Sequence, residues 1–137
     1  MLEKRLKKKI RDYCDKAYPV KLDVRPEDRL RPLFNNRCHW NADATVRQGD
    51  AVAVVECLIL DADRATLHYV SLGKDLRAFD ATLGPIYVGS DYRLIEAFRG
   101  FDDNRPDARL LATKRRLALA AGVPAWLLKV YAPDTLL

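Results

Sequence analysis

Residues 65–82 read ATLHYVSLGKDLRAFDAT, and this stretch decides the expected fold. Apolar side chains recur at every second position on both sides of the glycine, which predicts strands over 65–72 and 76–82. The turn residues Gly73-Lys74-Asp75 lie between them. We therefore expect an antiparallel hairpin near the middle of the chain.

The apolar positions of this hairpin also predict how its two strands pair. A buried face needs the apolar side chains of both strands on one side, and a slip of one residue would expose one set to solvent. The pairs that satisfy this rule are Leu72 with Leu76, Val70 with Ala78, and His68 with Asp80. An imidazole and a carboxylate are thus predicted to be cross-strand neighbours.

Cys38 precedes this hairpin and is a candidate nucleophile. It follows the turn-forming pair Asn35-Asn36 and begins a helical pattern over 38–48 that Gly49 closes. The partial positive charge at a helix N-terminus favours a thiolate over a thiol. Because the hairpin's buried face needs a cover, we expect this helix to lie on it and to bring Cys38 to His68.

The order of the candidate residues and the sequence around them resemble a known group of enzymes. A cysteine followed closely by Asn41-Ala42, a strand histidine, and an aspartate in a D-x-T-x-G context are similar to small transglutaminase-like and papain-like cysteine hydrolases of bacteria and their phages. The similarity covers about residues 34–95. Tyr69 and Ala81 differ from the residues common in many relatives, and neither position has a catalytic role.

The resemblance implies an α+β fold, in which an antiparallel sheet packs against the helix that carries the nucleophile. It also implies a catalytic triad of Cys38, His68 and Asp80 that acts on a protein, a peptide or another amide. In such a triad the thiol attacks an acyl carbon, the histidine moves the proton, and the aspartate orients the imidazole.

Further residues near Cys38 are candidates for supporting roles. The backbone N–H of Cys38 and a side-chain amide, from Asn36 or Asn41, are expected to hold the developing oxyanion. His39 could lower the thiol pKa or act as the base itself. Neighbouring helical residues point about 100° apart, so His68 is the better base on geometric grounds.

The remaining elements are predicted from periodicity and from Pro and Gly positions. We expect one domain over 1–137, with helices at both ends and a four-stranded antiparallel sheet between them. The predicted segments are an N-terminal helix over 2–17, an extended connection over 18–37, strands near 51–60 and 92–98, and a helix from Pro106 to Gly122.

The three cysteines indicate a reducing environment, since they are odd in number and form no C-x-x-C pair. Cys14 and Cys57 fall on apolar stripes, so Cys38 is predicted to be the reactive thiol. No segment resembles a signal peptide or a membrane span, and we expect a cytoplasmic protein. Zinc-ligand spacings and nucleotide-binding glycine motifs are also absent, so we expect no metal or cofactor.

A second class of function competes with the hydrolase interpretation. Residues 1–16 contain seven Lys or Arg and three acidic residues, so most of the chain's net charge of +5 lies there. Such a helix can dock on nucleic acid or an acidic protein, although a charged run is usually a solvated helix face. The alternative is a catalytically silent, phage-derived binding module that engages a host protein or nucleic acid through this helix.

Overall fold

The computed structural model describes residues 1–27, 37–84, 89–101 and 106–137. Features predicted for other positions, Asn36 among them, lie outside the described residues. The elements in chain order are α1 Leu2–Ala17, α2 Cys38–Arg47, β1 Ala53–Leu60, β2 Ala65–Leu72, β3 Ala78–Phe79, β4 Asp91–Phe98, α3 Pro106–Ala120, a 3-10 helix Ala125–Lys129 and α4 Pro133–Leu136. Among the helices of these ranges, none is both long and apolar enough to cross a bilayer.

The four strands form one antiparallel sheet in the order β3-β2-β1-β4. The central position of β1 explains its nearly continuous apolar sequence, because both of its faces are covered. Helices precede the strands in the chain and follow them. The predicted α+β class with an antiparallel sheet and flanking helices is therefore confirmed.

The helices cover one face of the sheet. Leu6, Ile10 and Cys14 are spaced for one side of α1 and are buried there. They share an apolar cluster with odd-numbered residues of β2, such as Leu67 and Tyr69, and with residues of α2, α3 and the C-terminal segment. This cluster is the largest of the three apolar clusters among the described residues.

The other face of the sheet is enclosed by the extended segment 20–25. Lys21 bridges to Arg93 of β4, and Val24 bridges to Ala78 of β3. Three residues span at most about 11 Å, so the two outer strands must approach each other and the sheet must curl. The enclosed side chains are Val24, Val55, Cys57, Val70, Ala78 and Tyr92.

The predicted cover of the hairpin is therefore wrong. Val70 and Ala78 face the enclosed side, where the segment 20–25 covers them. Helix α2 lies on the opposite face, where Ala42 shares a cluster with Tyr69 and the Thr45 hydroxyl bonds the Ser71 hydroxyl at 2.7 Å. The connection 18–37 was predicted to be extended, and a segment of that kind can wrap a domain. Its residues 20–25 take the place expected for the helix.

The predicted hairpin register is also wrong, by two residues. Leu72 pairs with Ala78 rather than with Leu76, and Ser71 pairs with Phe79. Leu76 instead lies in the turn with φ of 64° and is 73% exposed. Since side chains alternate with a period of two, a shift of two residues leaves Ala78 and Asp80 on the predicted side.

The turn chemistry explains the shift. The Gly73 carbonyl accepts from Leu76 N–H at 2.9 Å, and the Asp75 carboxylate accepts from Arg77 N–H at 3.0 Å. These bonds make the connection five residues long, over 73–77, instead of three. β3 is also shorter than the predicted strand 76–82, because the Asp80 side chain turns the following residues away from the sheet.

Glu56 is buried in β1 and belongs to a polar network. Its carboxylate accepts from the Tyr69 hydroxyl at 2.6 Å, from the Thr113 hydroxyl at 3.1 Å and from Arg109 at 3.2 Å. The guanidinium of Arg109 lies over the Phe98 ring, 3.9 Å from its centroid. A buried carboxylate needs such partners, and these bonds tie α3 to the sheet beneath the candidate site.

Candidate active site

Cys38 is the first residue of α2. The Arg37 carbonyl accepts the first helical bond, from Asn41 N–H at 2.9 Å. The amides of the first turn, including that of Cys38, therefore have no partner within the helix, and they point toward the helix N-terminus. The thiol is partly exposed, so the sulfur combines access to solvent with the positive end of a helix.

His68 and Asp80 are hydrogen-bonded to each other. His68 Nε2 lies 2.6 Å from Asp80 Oδ2, and both side chains are almost wholly buried. The predicted proximity is therefore present, although Asp80 lies beyond the end of β3 and does not pair with His68 in the sheet. With Nε2 committed to Asp80, Nδ1 is the nitrogen left for the thiol.

Asp80 is held by three further donors. Its Oδ1 accepts from the backbone N–H groups of Thr82 and Leu83, each at 2.9 Å. Its Oδ2 also accepts from the Tyr92 hydroxyl at 2.9 Å. Burial acts to raise the pKa of Asp80, but His68 and these amides outweigh it and lower the pKa. The carboxylate is therefore charged and fixed in orientation.

The free edge of β2 lets Cys38 reach His68 from the opposite face of the sheet. β3 pairs only with Ser71 and Leu72, and among the described residues no strand lies beside the earlier part of β2 on that edge. There the Tyr69 N–H donates to the Cys38 sulfur, and the Leu67 N–H donates to the Leu137 carbonyl at 3.2 Å. The nucleophile thus approaches around an edge that the short β3 leaves open.

The thiol and the imidazole shift each other's pKa in opposite directions. Burial acts to raise the pKa of Cys38, but contacts with the His39 and His68 rings and with the Tyr69 N–H lower it to about 6. Burial acts to lower the pKa of His68, but Asp80 and Cys38 raise it to about 9. Between these values the pair is a thiolate and an imidazolium.

The other two cysteines lack these features. Cys14 and Cys57 are fully buried in the two apolar clusters. Burial raises the pKa of Cys14 to about 12 and raises that of Cys57 well above its ordinary value. Neither thiol is accessible or ionised near neutral pH, which supports the prediction that Cys38 is the reactive one.

Of the two predicted amide donors, Asn41 lies within the described residues. Its Nδ2 donates to the Thr82 hydroxyl at 2.8 Å, and both side chains are buried. This bond joins α2 to the turn that carries Asp80. Asn41 therefore connects the two halves of the site in this structure, and its role as an oxyanion donor stays a prediction, as does that of Asn36.

A second histidine-aspartate pair also borders Cys38. His39 is buried, and its Nε2 bonds Asp107 Oδ1 at the start of α3. The Trp40 indole N–H donates to the same oxygen at 3.1 Å. The sequence does not predict Asp107 as a site residue, because nothing in the local sequence indicates that α3 meets α2 at this point.

A cleft of about 420 Å³ opens at the thiol. Its lining combines the candidate catalytic groups with apolar side chains and one cation. Besides Cys38, His39 and His68, the lining includes Ile59, Leu67, Leu83, Leu110, Lys114 and Leu137. In the described part of the chain, no three His, Cys, Asp or Glu residues are grouped so that they could hold a metal ion.

The chain matches none of the protein-family models, curated proteins or solved structures with which it was compared.

Proposed function

We propose that this protein is a cysteine-dependent acyl hydrolase or acyl transferase with a papain-like or transglutaminase-like core. The observation that carries the proposal is the continuous series of contacts from the Cys38 sulfur through the His68 ring to Asp80. The sulfur also lies at a helix N-terminus. Nucleophile, base and orienting group are the three roles that this chemistry needs.

The reaction begins with attack of the Cys38 thiolate on the carbonyl carbon of an amide or ester. The carbonyl oxygen becomes an oxyanion, which the first-turn N–H of Cys38, having no partner within the helix, can stabilise. His68, charged at neutral pH, gives its proton to the leaving group. Water or an amine then attacks the thioester while His68 takes a proton from it, and the thiolate is restored.

Asp80 has a distinct role in this sequence. It accepts the Nε2 proton of His68, so the other nitrogen faces the sulfur throughout the cycle. Because Asp80 is fixed by the Thr82, Leu83 and Tyr92 donors, the imidazole cannot rotate away. Such pre-organisation reduces the rearrangement required in the transition state.

The cleft supports a protein, peptide or other amide with an apolar group next to the reacting bond. Ile59, Leu83 and Leu110 give one part of the cleft an apolar surface. At the edge of β2, the Leu67 N–H already donates to the Leu137 carbonyl and the Tyr69 N–H donates to the Cys38 sulfur. The proposed substrate is therefore recognised mainly through its apolar group.

Alkylation of the folded protein tests the reactive thiol, and a p-nitrophenyl ester tests acyl transfer. At pH 7 we expect iodoacetamide to label Cys38 well before Cys14 or Cys57 in peptide maps. The ester should give a burst of nitrophenol and a protein mass increase on Cys38. Cys38→Ser should abolish both signals, whereas Cys14→Ala, which removes a buried thiol that does not line the cleft, should retain them.

Two results would contradict the proposal. Preferential labelling of Cys14 or Cys57 would remove Cys38 as the nucleophile. Rapid labelling of Cys38 without acylation by any of a panel of esters and peptide amides would favour the binding-module alternative.

A further inference from the structure

His39 is a second imidazole at the nucleophile, and the mechanism above does not use it. The ring is 4% exposed and lies between the start of α2 and Tyr69, whose ring centroid is 6.2 Å away. Asp107 accepts from Nε2, so that end of the ring is fixed. Among the described residues, two ionisable groups shift the pKa of this ring, the Asp107 carboxylate and the Cys38 thiol.

The other nitrogen of His39 is unusual. Nδ1 is buried and makes no hydrogen bond to any of the described residues. Buried polar atoms without partners are rare and cost stability, so each one calls for a reason. Both Cys38 and His39 line the cleft, so the His39 ring is next to the place where an acyl group would bind the sulfur.

The Asp107 contact determines the protonation state that Nδ1 needs. A neutral imidazole carries one proton, and the carboxylate of Asp107 holds that proton on Nε2. Nδ1 can therefore donate only when the ring is doubly protonated. Burial acts to lower the pKa of His39, but Cys38 and Asp107 outweigh it and raise the pKa, which favours the charged ring.

We propose that His39, doubly protonated and held by Asp107, is a second catalytic group, whose positive charge stabilises the Cys38 thiolate and whose Nδ1 donates to the oxyanion formed by its attack. The proposal rests on the function proposed above. His39 then takes the role of side-chain donor to the oxyanion, which the sequence predicted for Asn36 or Asn41. Asp107, which does not touch the sulfur, is a positioning residue.

The two histidines have different roles: His68 transfers the proton, and His39 stabilises the oxyanion. When the Cys38 sulfur bonds to the acyl carbon, the carbonyl π electrons move to oxygen. That oxygen accepts hydrogen bonds from His39 Nδ1 and from the Cys38 N–H. As the oxyanion collapses, the leaving group departs with the proton of His68. His39 keeps both of its protons throughout, so it acts as an electrostatic stabiliser and not as a base.

The neighbouring charges act on the same titration. Asp107 of α3 and the thiolate favour the charged form of His39. Arg37 contributes to the lowered pKa of Asp107. Other titratable groups of the described residues near the thiol are His68, which interacts with Cys38 from β2, and Tyr69, whose hydroxyl is bonded to Glu56. Asp61 and Lys114 also line the cleft.

Two substitutions of His39 separate its two nitrogens. The amide nitrogen of His39→Asn can occupy the place of Nδ1 as a neutral donor, whereas the longer side chain of His39→Gln reaches toward Asp107 and leaves the Nδ1 position without a donor. For His39→Gln we expect kcat to fall by about 10²–10³ with little change in KM, the usual cost of losing one oxyanion donor. His39→Asn should recover part of that loss.

The rate of iodoacetamide labelling against pH gives a readout that needs no substrate. We expect His39→Gln to move the midpoint for Cys38 to higher pH, because one stabilising contact of the thiolate is lost. If no substrate is ever turned over, this shift still tests the contact between His39 and Cys38, so failure of the proposed function and failure of this inference are distinguishable. Circular dichroism must show that each variant is folded.

Asp107→Asn serves if the His39 variants do not fold, since residue 107 is exposed and its amide oxygen can still accept from Nε2. It should lower the pKa of His39, so that kcat declines at a lower pH than in the wild type. Asp12→Asn, which breaks an exposed contact with Lys8 on α1, is the matched control and should change nothing. The inference is overturned if His39→Gln and His39→Asn, or Asp107→Asn in their place, leave the labelling midpoint unchanged and kcat within about threefold of the wild type.

Discussion

The two histidine-aspartate pairs beside Cys38 are alike in composition and different in environment. Asp80 is buried and accepts from His68, Tyr92 and two backbone amides. The Asp107 side chain is 68% exposed and accepts only from His39 and Trp40 among the described residues. The four donors fix the orientation of Asp80 in the first pair, whereas the charge of Asp107 in the second pair is exposed to solvent and to ions.

This difference predicts which pair tolerates change. A buried carboxylate with four donors cannot be replaced without leaving some of those donors unsatisfied or misdirected. An exposed carboxylate can be replaced at small structural cost, because water takes its place. The same substitution, Asp to Asn, therefore becomes a direct comparison of the two pairs.

The largest expected effect is that of Asp80→Asn. The Thr82 and Leu83 amides will keep the side-chain oxygen, so the amide nitrogen must face His68 Nε2. The imidazole then needs the wrong tautomer, with its proton toward the sulfur, and kcat/KM should fall by about 10³–10⁴. Asp107→Asn should cost about tenfold at pH 7.5, where a histidine of ordinary pKa is about one-tenth protonated.

Ester acylation kinetics of the two variants, measured side by side, check this prediction, with Asp12→Asn as the control. The prediction is wrong if Asp107→Asn lowers kcat/KM as much as Asp80→Asn does. In that case the exposed pair, and not the buried one, would be the main support of the nucleophile.

The sequence predicted most of the elements, because they depend on local patterns. The apolar spacing of Leu6, Ile10 and Cys14 places α1, and strand alternation places β2 at the observed bounds. The thiol was expected at a helix start because asparagines precede it and a helical pattern follows it, and α2 does begin at Cys38. The side of the sheet on which Asp80 lies was also predictable, because face parity survives a two-residue error.

The parts that were not predictable depend on contacts between distant segments. The hairpin register was decided by Asp75 and Gly73, whose turn bonds are not visible in an apolar pattern. The meeting of His39 with Asp107 joins residues 68 positions apart, and it depends on how α3 docks on the sheet. The Glu56 network contributes to that docking, and nothing in the sequence around Glu56 indicates its partners.

The pH dependence of the wild type should separate thiolate formation from proton donation. The pKa of Cys38 is lowered to about 6, so its labelling rate should fall about tenfold per pH unit below that value. The pKa of His68 is raised to about 9, so acyl transfer to an amide leaving group should decline above it, while labelling should not. In Asp80→Asn the labelling midpoint should move to higher pH. An unshifted midpoint would mean that Asp80 does not support the charge of His68.

A smaller effect is expected from Tyr92→Phe, which removes one donor to Asp80 and leaves the other three. The loss of one hydrogen bond of this kind should lower the free energy of unfolding by about 0.5–1.5 kcal/mol. The acylation rate should fall by less than about tenfold, because the two backbone amides still orient the carboxylate. Urea unfolding and ester kinetics measure the two effects, with Tyr131→Phe as a control outside the Asp80 contacts. A loss as large as that of Asp80→Asn would show that the backbone amides do not suffice.

The smallest expected effect is a response to salt that distinguishes the two pairs directly. At 1 M ionic strength the screening length is about 3 Å, so an exposed charge such as that of Asp107 loses part of its influence, whereas the buried Asp80 is largely shielded from ions. Screening of Asp107 should then lower the pKa of His39, so that the ring stabilises the Cys38 thiolate less. The labelling midpoint of Cys38 should rise by a few tenths of a pH unit between about 0.05 and 1 M salt. Asp107→Asn has already lost that charge, so its midpoint should not move. Equal shifts in the wild type and in Asp107→Asn would assign the salt effect to other charges, such as Lys114 in the cleft, and would remove the electrostatic distinction between the two pairs.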